Sequence, residues 1–395
     1  MIKKLPSTEY IRDEAGLKAL CERLRDRERL ALDTEFMGED SFSPRLEIIQ
    51  VATDDVTAII DHQALPALDP LFDVLRDNRI LKIMHAGRQD LEIFSVKAGS
   101  VPSPIFDTQV AAAMLGYGHQ IGYGQLVSQV VGVVLEKSET FTNWAQRPLT
   151  PQQLEYAVED VRHLFSLHSR LHDRLKSMGR LEWVEEEFRR LQVSTGEESR
   201  SPQIRYQKIR GWEGLKPRAR AVLRELAAWR EQEAQKRDRP RGRVLRDDVL
   251  LEIARRMPAS TQALGALRGF QPSQLERYGD AIVATIQRGL AVPEGDFPHA
   301  EKRPRIDPET AGLADLLGTA LKVRAIEASI SPQLLASSAD LEIFALERGR
   351  GAAENLPILQ GWRRTLAGEH LLKVLEGKIT LGYDPETGQV RLFER

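Results

Sequence analysis

The sequence is poor in cysteine: Cys21 is the only one among its 395 residues. An intrachain disulfide and a cysteine-based zinc site are therefore both excluded. Long hydrophobic runs are also missing, and no segment approaches the roughly 20 apolar residues that a membrane-spanning helix needs. The first residues contain two lysines but no apolar signal core. We therefore expect a cytoplasmic protein without membrane contact, in a compartment where thiols stay reduced.

The chain also lacks a large net charge, because 56 basic and 58 acidic residues leave a formal charge of −2. The distribution along the chain is uneven. Residues 205–246 contain 14 Lys and Arg against 5 Asp and Glu, a surplus of nine, so the remainder carries about −11. Such a basic segment is typical of a surface that faces nucleic acid. The alternative is an ordinary solvated helical face.

The first 191 residues show the alternation of strands and helices that is typical of an α/β domain. Helical patterns occupy 66–77 and 88–98. Asp107 is expected to cap a helix that begins at Thr108. Strand patterns occupy 30–36, which alternates, 46–52, which is rich in β-branched residues, and 56–61, 80–85 and 105–107. The sequence therefore predicts a mixed sheet covered by helices, followed by further helices up to residue 191.

The remainder of the chain predicts two small all-α domains. A polar linker at 192–204 precedes a helical segment at 205–292. A second linker, rich in Pro and Gly, occupies 293–304. The segment 305–395 then reads as a divergent copy of the first helical segment and ends in a predicted β-hairpin.

Asp33 and Glu35 lie two residues apart on a predicted strand, so their side chains leave the same face. Two adjacent carboxylates on an apolar strand repel each other and are costly to bury, and a divalent cation relieves both problems. The simpler interpretation is a polar strand end that faces water.

Two further acidic positions suit the same site. Tyr156 and Asp160 lie four residues apart and share one face of a predicted helix. Asp90 falls in the opening turn of the helix that follows the fourth strand. Each feature also has a simpler interpretation when taken alone. The Tyr156 and Asp160 pair suits an ordinary surface helix with a half-buried tyrosine, and Asp90 suits a carboxylate that complements the dipole of its helix.

Three segments resemble, in order and spacing, the exonuclease motifs of the DEDD superfamily: Leu32-Asp33-Thr34-Glu35-Phe36, His85-Ala86-Gly87-Arg88-Gln89-Asp90 and Tyr156-Ala157-Val158-Glu159-Asp160-Val161. The tyrosine four residues before the last aspartate is the mark of the DEDDy subgroup. The segments 137–140 and 144–149 are similar to the ribonuclease D family in particular. The resemblance spans the whole chain and implies a ribonuclease-H-like α/β domain followed by two helical domains of the HRDC type. Asn143 departs from the pattern, since the family commonly has aspartate there.

The resemblance implies hydrolysis of RNA from its 3′ end with two divalent ions, Mg²⁺ or Mn²⁺, and release of 5′-mononucleotides. Asp33 would bridge both ions, Glu35 and Asp160 would complete the first site, and Asp90 would support the second. Tyr156 would orient the attacking water.

Substrate contacts are expected from several residues, although core packing is an alternative for the hydrophobic ones. The candidates are Phe36, Met37, Phe42, His85, Lys137, Trp144 and Arg147. We expect a monomer without an obligatory protein partner, acting on RNA with a free 3′ end such as tRNA precursors. Two other readings stay open: a 3′→5′ DNA exonuclease, and a non-catalytic RNA-binding protein with a relic site.

Overall fold

A six-stranded mixed sheet forms the centre of the N-terminal α/β unit. The structure, a computed structural model, describes residues 7–38, 40–135, 142–198, 202–300 and 306–395. The strand order is β1-β4-β3-β2-β5-β6, with β3 alone antiparallel to its neighbours. The strands are β1 (Ser7–Ile11), β2 (Arg29–Met37), β3 (Arg45–Ala52), β4 (Val56–Asp61), β5 (Leu81–Met84) and β6 (Ile105–Asp107). The predicted mixed sheet is confirmed, together with the five predicted strands.

The edge strand β1 was not predicted. It pairs in parallel with β4, from Ser7 opposite Val56 to Ile11 opposite Ile60. Its sequence, Ser-Thr-Glu-Tyr-Ile, contains only one aliphatic residue, because an edge strand buries little of its surface. Hydrophobic periodicity therefore gives no strand signal there.

Eight α-helices of the described residues accompany the sheet. The predicted helix at 88–98 is confirmed as α3, and the one at 66–77 is shortened to α2. Asp107 caps α4 as expected, accepting from the backbone N–H groups of Gln109 and Val110. No helix of the described residues is long and apolar enough to cross a bilayer. The helices are α1 (Glu14–Arg25), α2 (Asp69–Arg76), α3 (Arg88–Ala98), α4 (Thr108–Met114), α5 (Tyr123–Val130), α6 (Pro151–Arg162), α7 (Leu164–Ser177) and α8 (Leu181–Glu198).

Helix α8 continues well past residue 191, where a polar linker was expected to begin. It ends at Glu198. Thr195 is buried and its hydroxyl donates to the carbonyl of Leu191, and Gln192 donates to the carbonyl of Pro102. These polar side chains form hydrogen bonds within the helix or with the α/β unit. The linker predicted from the polar composition after residue 191 is therefore wrong up to residue 198.

The first helical unit has a hydrophobic core of its own. That core combines residues from Tyr206 to Ile286. One side chain of the α/β unit, Phe42, packs against it. The helices of this unit are α9 (Pro217–Lys236), α10 (Arg241–Val244), α11 (Asp247–Arg256), α12 (Thr261–Gly265) and α13 (Pro272–Leu290).

The second helical unit shares a core with the α/β unit. One continuous cluster joins Leu17 and Phe94 to Leu317 and Phe344. Trp183 and Trp362 stack across the junction with ring centroids 4.9 Å apart. The helices are α14 (Pro308–Glu327), α15 (Ser338–Leu346), α16 (Gly361–Arg363) and α17 (Glu369–Leu375), and the predicted hairpin is formed by β7 (Ile379–Asp384) and β8 (Gln389–Glu394).

Candidate active site

Strand β2 lies inside the sheet and presents Asp33 and Glu35 on one face. The antiparallel register places Asp33 opposite Gln50 and Glu35 opposite Ile48 on β3. The register shifts between Glu35 and Phe36, so the regular ladder is interrupted directly after the second carboxylate. Bulges of this kind re-aim side chains next to active sites.

Helix α6 brings Asp160 to the same face. The helix begins at Pro151 after a capping box in which Thr150 and Gln153 bond each other's backbone N–H groups. Ala157 of this helix packs with Ile48 and Ile59 of the sheet. One carboxylate oxygen from each of Asp33, Glu35 and Asp160 lies within 4.8 Å of the others.

Asp90 reaches the site from the first turn of α3. The turn between β5 and α3 has a positive φ of 55° at Ala86. A Cβ at Gly87 would lie 2.1 Å from the sulfur of Met84, so a larger residue here would have to displace the buried side chain of Met84. Asp107 fixes the turn by accepting from the N–H groups of Ala86 (3.2 Å) and Gly87 (2.9 Å). Asp90 itself is buried and accepts a short hydrogen bond from the hydroxyl of Thr34.

Burial and mutual repulsion leave the four carboxylates reluctant to ionise without a cation. Burial raises the pKa of Glu35 to about 8, and the negative charges of Asp160 and Asp90 add to the effect. The pKa of Asp160 rises to about 7 and that of Asp90 to about 6, again mainly through burial. The pKa of Asp33 is raised well above its ordinary value by burial and by the other three carboxylates.

Such a cluster can hold divalent metal. Carboxylate oxygens are the hard ligands that Mg²⁺ and Mn²⁺ prefer. A divalent cation would reverse the electrostatic penalty, because it favours the ionised form of each neighbouring carboxylate. Asp33, Glu35 and Asp160 provide three oxygens around one point. Asp90 is not part of this group of three. It accepts from Thr34, the residue between Asp33 and Glu35 on β2, and its charge raises the pKa of both Asp33 and Glu35. Three of the four predicted carboxylates thus converge on one point, and the fourth interacts with them through its charge.

Tyr156 lies one helical turn before Asp160 on α6. Its ring packs against Trp144, with the ring centroids 6.0 Å apart. Trp144 is 5% exposed and belongs to the cluster of Ile48, Ile59 and Ala157. Burial raises the pKa of the Tyr156 phenol, and the charges of Asp160, Glu35 and Asp33 raise it further. The phenol is therefore neutral and can donate a hydrogen bond.

Phe36, Met37 and Phe42 follow the catalytic strand but separate in space. Phe36 is partly buried against the main core, and Met37 against the cluster of Trp144. Phe42 faces the first helical unit. The guanidinium of Arg241 lies 4.3 Å from the centroid of the Phe42 ring. The backbone N–H of Phe42 donates to the carboxylate of Asp238 at 3.1 Å.

Arg147 has protein partners. It forms two hydrogen bonds of 2.6 and 2.7 Å to the buried carboxylate of Asp61, and a third of 2.6 Å to the carbonyl of Trp144. It thereby fastens the 144–149 segment to β4.

The ring of His85 is bonded at both nitrogens, to Thr108 at 2.9 Å and to the carbonyl of Ile121 at 3.0 Å. Asn143 is exposed and accepts from the N–H of Ala145 at 3.0 Å. Lys137 lies outside the described residues.

Several residues that support the site were not identified as doing so from the sequence. Thr34 donates a hydrogen bond to Asp90. Asp61 accepts from Arg147, and Asp107 accepts from the backbone of the β5–α3 turn. The hydroxyl of Tyr123 donates to the carbonyl of Glu159 at 2.9 Å, which anchors the end of α6 beside Asp160. Only Asp107 had a visible signal, as a helix cap. In the other three pairs, Tyr123 with Glu159, Thr34 with Asp90 and Asp61 with Arg147, the two residues lie 36 to 86 positions apart in the chain.

Comparison with known proteins agrees with this geometry. Residues 8–176 match the family model of a 3′-5′ exonuclease, and residues 219–286 match that of the HRDC domain. Ribonuclease D of Nitrobacter hamburgensis is 41% identical over 98% of this chain and all of its own length. Ribonuclease D of Granulibacter bethesdensis is 38% identical over 99% of this chain and 98% of its own.

Among solved structures, Escherichia coli RNase D, described as an exoribonuclease involved in structured RNA processing, superposes with a TM-score of 0.82. It is 31% identical, and the match covers 94% of this chain and 99% of that chain. Both the sequence identity and the coverage exceed what a shared fold alone would produce. The chain belongs to the ribonuclease D family of 3′→5′ exoribonucleases.

Proposed function

We propose that this chain removes 5′-mononucleotides one at a time from the 3′ end of RNA, with two divalent ions held by Asp33, Glu35, Asp90 and Asp160. The observation that carries the proposal is the convergence of three carboxylate oxygens within 4.8 Å, beside a fourth carboxylate fixed by Thr34. When bound, such ions acidify a water molecule and neutralise charge on the leaving oxygen.

The protein's own part in the reaction is to orient the reacting groups. The charges of all three other carboxylates act on Asp33, so Asp33 would be the ligand that the two ions share. Tyr156 would hold the attacking water by donating from its neutral phenol. The contact with Trp144 restricts the ring of Tyr156, so the donor is positioned before the substrate arrives.

We propose that Arg147 and His85 support the site rather than contact the RNA. Both are already saturated with protein hydrogen bonds. A phosphate would have to displace Asp61 from Arg147 and leave that buried carboxylate unpaired, which is costly.

A cavity of about 780 Å³ suits the RNA strand behind the terminal nucleotide. It lies between the loop after β2, the outer side of α3 and the first helical unit. Arg45, Lys97 and Arg205 are among its lining residues. Basic side chains along a groove attract the phosphates of a single strand without regard to its sequence. We propose that tRNA precursors with extra 3′ nucleotides are substrates and that the protein acts as a monomer. We propose three domains: the α/β unit, which extends past the expected 1–191 to the end of α8 at Glu198, and two helical domains at 205–292 and 305–395.

The test is a time course on a 3′-extended tRNA with Mg²⁺ or Mn²⁺, with and without EDTA. The parent protein should release mononucleotides, and Asp33→Asn should release none while it still binds RNA. Asp173→Asn is the matched control, because Asp173 is exposed on α7. A matched DNA oligonucleotide tests the substrate class. Faster loss of DNA than of RNA, or unchanged hydrolysis by Asp33→Asn, would contradict the proposal.

A further inference from the structure

Gln50 faces Asp33 across the central pair of strands. The two residues are directly opposite in the antiparallel register of β2 and β3. Side chains in such pairs leave the same face with Cβ atoms about 4.5–5.5 Å apart. On the other side, Gln50 is the register partner of Ile59, which packs beneath α6. The amide of Gln50 therefore lies under α6, between the apolar Ile59 and the carboxylate of Asp33.

The Gln50 side chain is fully buried, and its hydrogen bonds are not made by the described part of the chain. Its exposed fraction is 0%, and neither Nε2 nor Oε1 has a partner among these residues. Buried Gln153 shows the usual situation: its Nε2 donates to Thr142 at 2.9 Å and its Oε1 accepts from Thr150 at the same distance. A buried amide without a partner is unusual and calls for a specific reason.

The carboxylate of Asp33, which neighbours Gln50, provides a reason for the unpaired amide. An ionised carboxylate only accepts hydrogen bonds, so the amide nitrogen is the end of Gln50 that can serve Asp33. A carboxylate that binds metal uses some of its lone pairs for the ion and commonly receives a hydrogen bond on another. A hydrogen bond to a charged oxygen is also stronger than one between neutral groups.

We propose that Gln50 is a positioning residue of the metal centre: when a bound cation ionises Asp33, the side-chain N–H of Gln50, which has no partner among the described residues, donates to the Asp33 carboxylate and fixes that carboxylate in the orientation that binds metal. The inference rests on the proposed function, because it requires Asp33 to be a metal ligand. It adds a sixth side chain to the four carboxylates and Tyr156, one that contacts neither the ion nor the RNA.

The decisive variant is Gln50→Met, which keeps the length of the side chain and removes the donor. Binding of Mn²⁺ to the full-length protein is measured by calorimetry without RNA, and thermal unfolding is followed in EDTA and in Mn²⁺. Loss of a hydrogen bond to a ligand typically costs 10- to 100-fold in metal affinity. We expect Mn²⁺ to bind Gln50→Met at least about ten-fold more weakly. In EDTA the variant should unfold no earlier than the parent, because an unpaired buried amide has been removed.

Ile59→Met is the matched control, since it alters packing at the neighbouring position of the same face without touching a polar group. If Gln50→Met binds Mn²⁺ like the parent, or if both variants lose affinity equally, the inference is wrong. If Gln50→Met does not fold, Gln50→Leu replaces it. Failure of the parent itself to bind Mn²⁺ more tightly than Asp33→Asn would overturn the proposed metal centre, and this inference with it.

Discussion

The carboxylate cluster predicts that the metal-free protein loses stability as the pH rises, and that metal restores it. In the folded protein the pKa of Glu35 is about 8, whereas its ordinary value is 4.5. Between these two pH values the folded protein keeps a proton that the unfolded chain has released. The free energy of unfolding therefore falls as the pH increases through this window, and the contribution of Glu35 is fully lost only above pH 8.

The size of the effect follows from the pKa difference. One pH unit within the window changes the free energy of unfolding by about 1.4 kcal/mol. Raising the pH from 6 to 8 should therefore remove about 2 to 3 kcal/mol through Glu35 alone. For a unit of about 150–250 residues this corresponds to a fall in Tm of roughly 5–10 °C. Asp160, with a pKa raised to about 7, adds a loss of the same sign.

Thermal unfolding followed by circular dichroism at pH 6, 7 and 8 measures the effect, first in EDTA and then in Mg²⁺ or Mn²⁺. Glu35→Gln is the control, because it cannot ionise and should show a shallower fall in EDTA. Comparison with this variant also removes the opposite effect of His168, whose pKa is lowered by burial to about 4. Equal pH dependence in the parent and in Glu35→Gln, or a fall that metal leaves unchanged, would refute the reasoning.

Three further predictions concern residues around this cluster. Tyr156→Phe should lower kcat by on the order of 100-fold and leave calorimetric Mn²⁺ affinity unchanged; a loss of metal affinity would contradict a water-orienting role. Arg147→Ala should destabilise the protein by about 3–5 kcal/mol in urea unfolding, because Asp61 stays buried without its partner; a raised KM at unchanged stability would instead indicate a phosphate contact. The double variant Arg239→Ala/Arg243→Ala removes two exposed charges and should reduce the slope of log K for RNA against log salt by about two, with an unchanged slope as the contrary result.

The parts of the fold that the sequence predicted are those in which the signal is local. Strand β4 and helix α3 were predicted at the bounds that the structure has, because a buried strand and a helix bounded by glycines carry their own periodicity and end signals. The spacing of Asp33 and Glu35 fixed their common face for the same reason. Spacing alone could not bring Asp90 to the same place: the sequence resemblance named it, but its bond from Thr34, 56 residues away, is visible only in the tertiary structure.

The residues proposed to contact substrate show what residue type alone does not determine. An arginine near a catalytic motif suggests a phosphate contact, yet Arg147 is bonded to Asp61, 86 residues earlier in the chain. A phenylalanine after the catalytic strand suggests a stacking partner, yet Phe42 lies against Arg241, 199 residues later. In both cases the side chain has the expected chemistry, but the fold has supplied a protein partner. Only the tertiary structure distinguishes a side chain that is free for substrate from one that is paired with a distant residue of the protein.

The two helical units, similar in pattern, are attached to the α/β unit in different ways. Arg180 reaches from the start of α8 to the carbonyls of Met114 and Ser329, and a Cβ at Gly116 would lie 2.8 Å from the backbone of Ser329. Close backbone contact over a shared core holds the second unit firmly. The first unit keeps a separate core and meets the α/β unit through Phe42, on the loop that leaves the catalytic strand. Interfaces of that kind permit relative motion of domains, so we expect the first unit to move relative to the sheet more readily than the second, which shares the core of the sheet that holds the carboxylates.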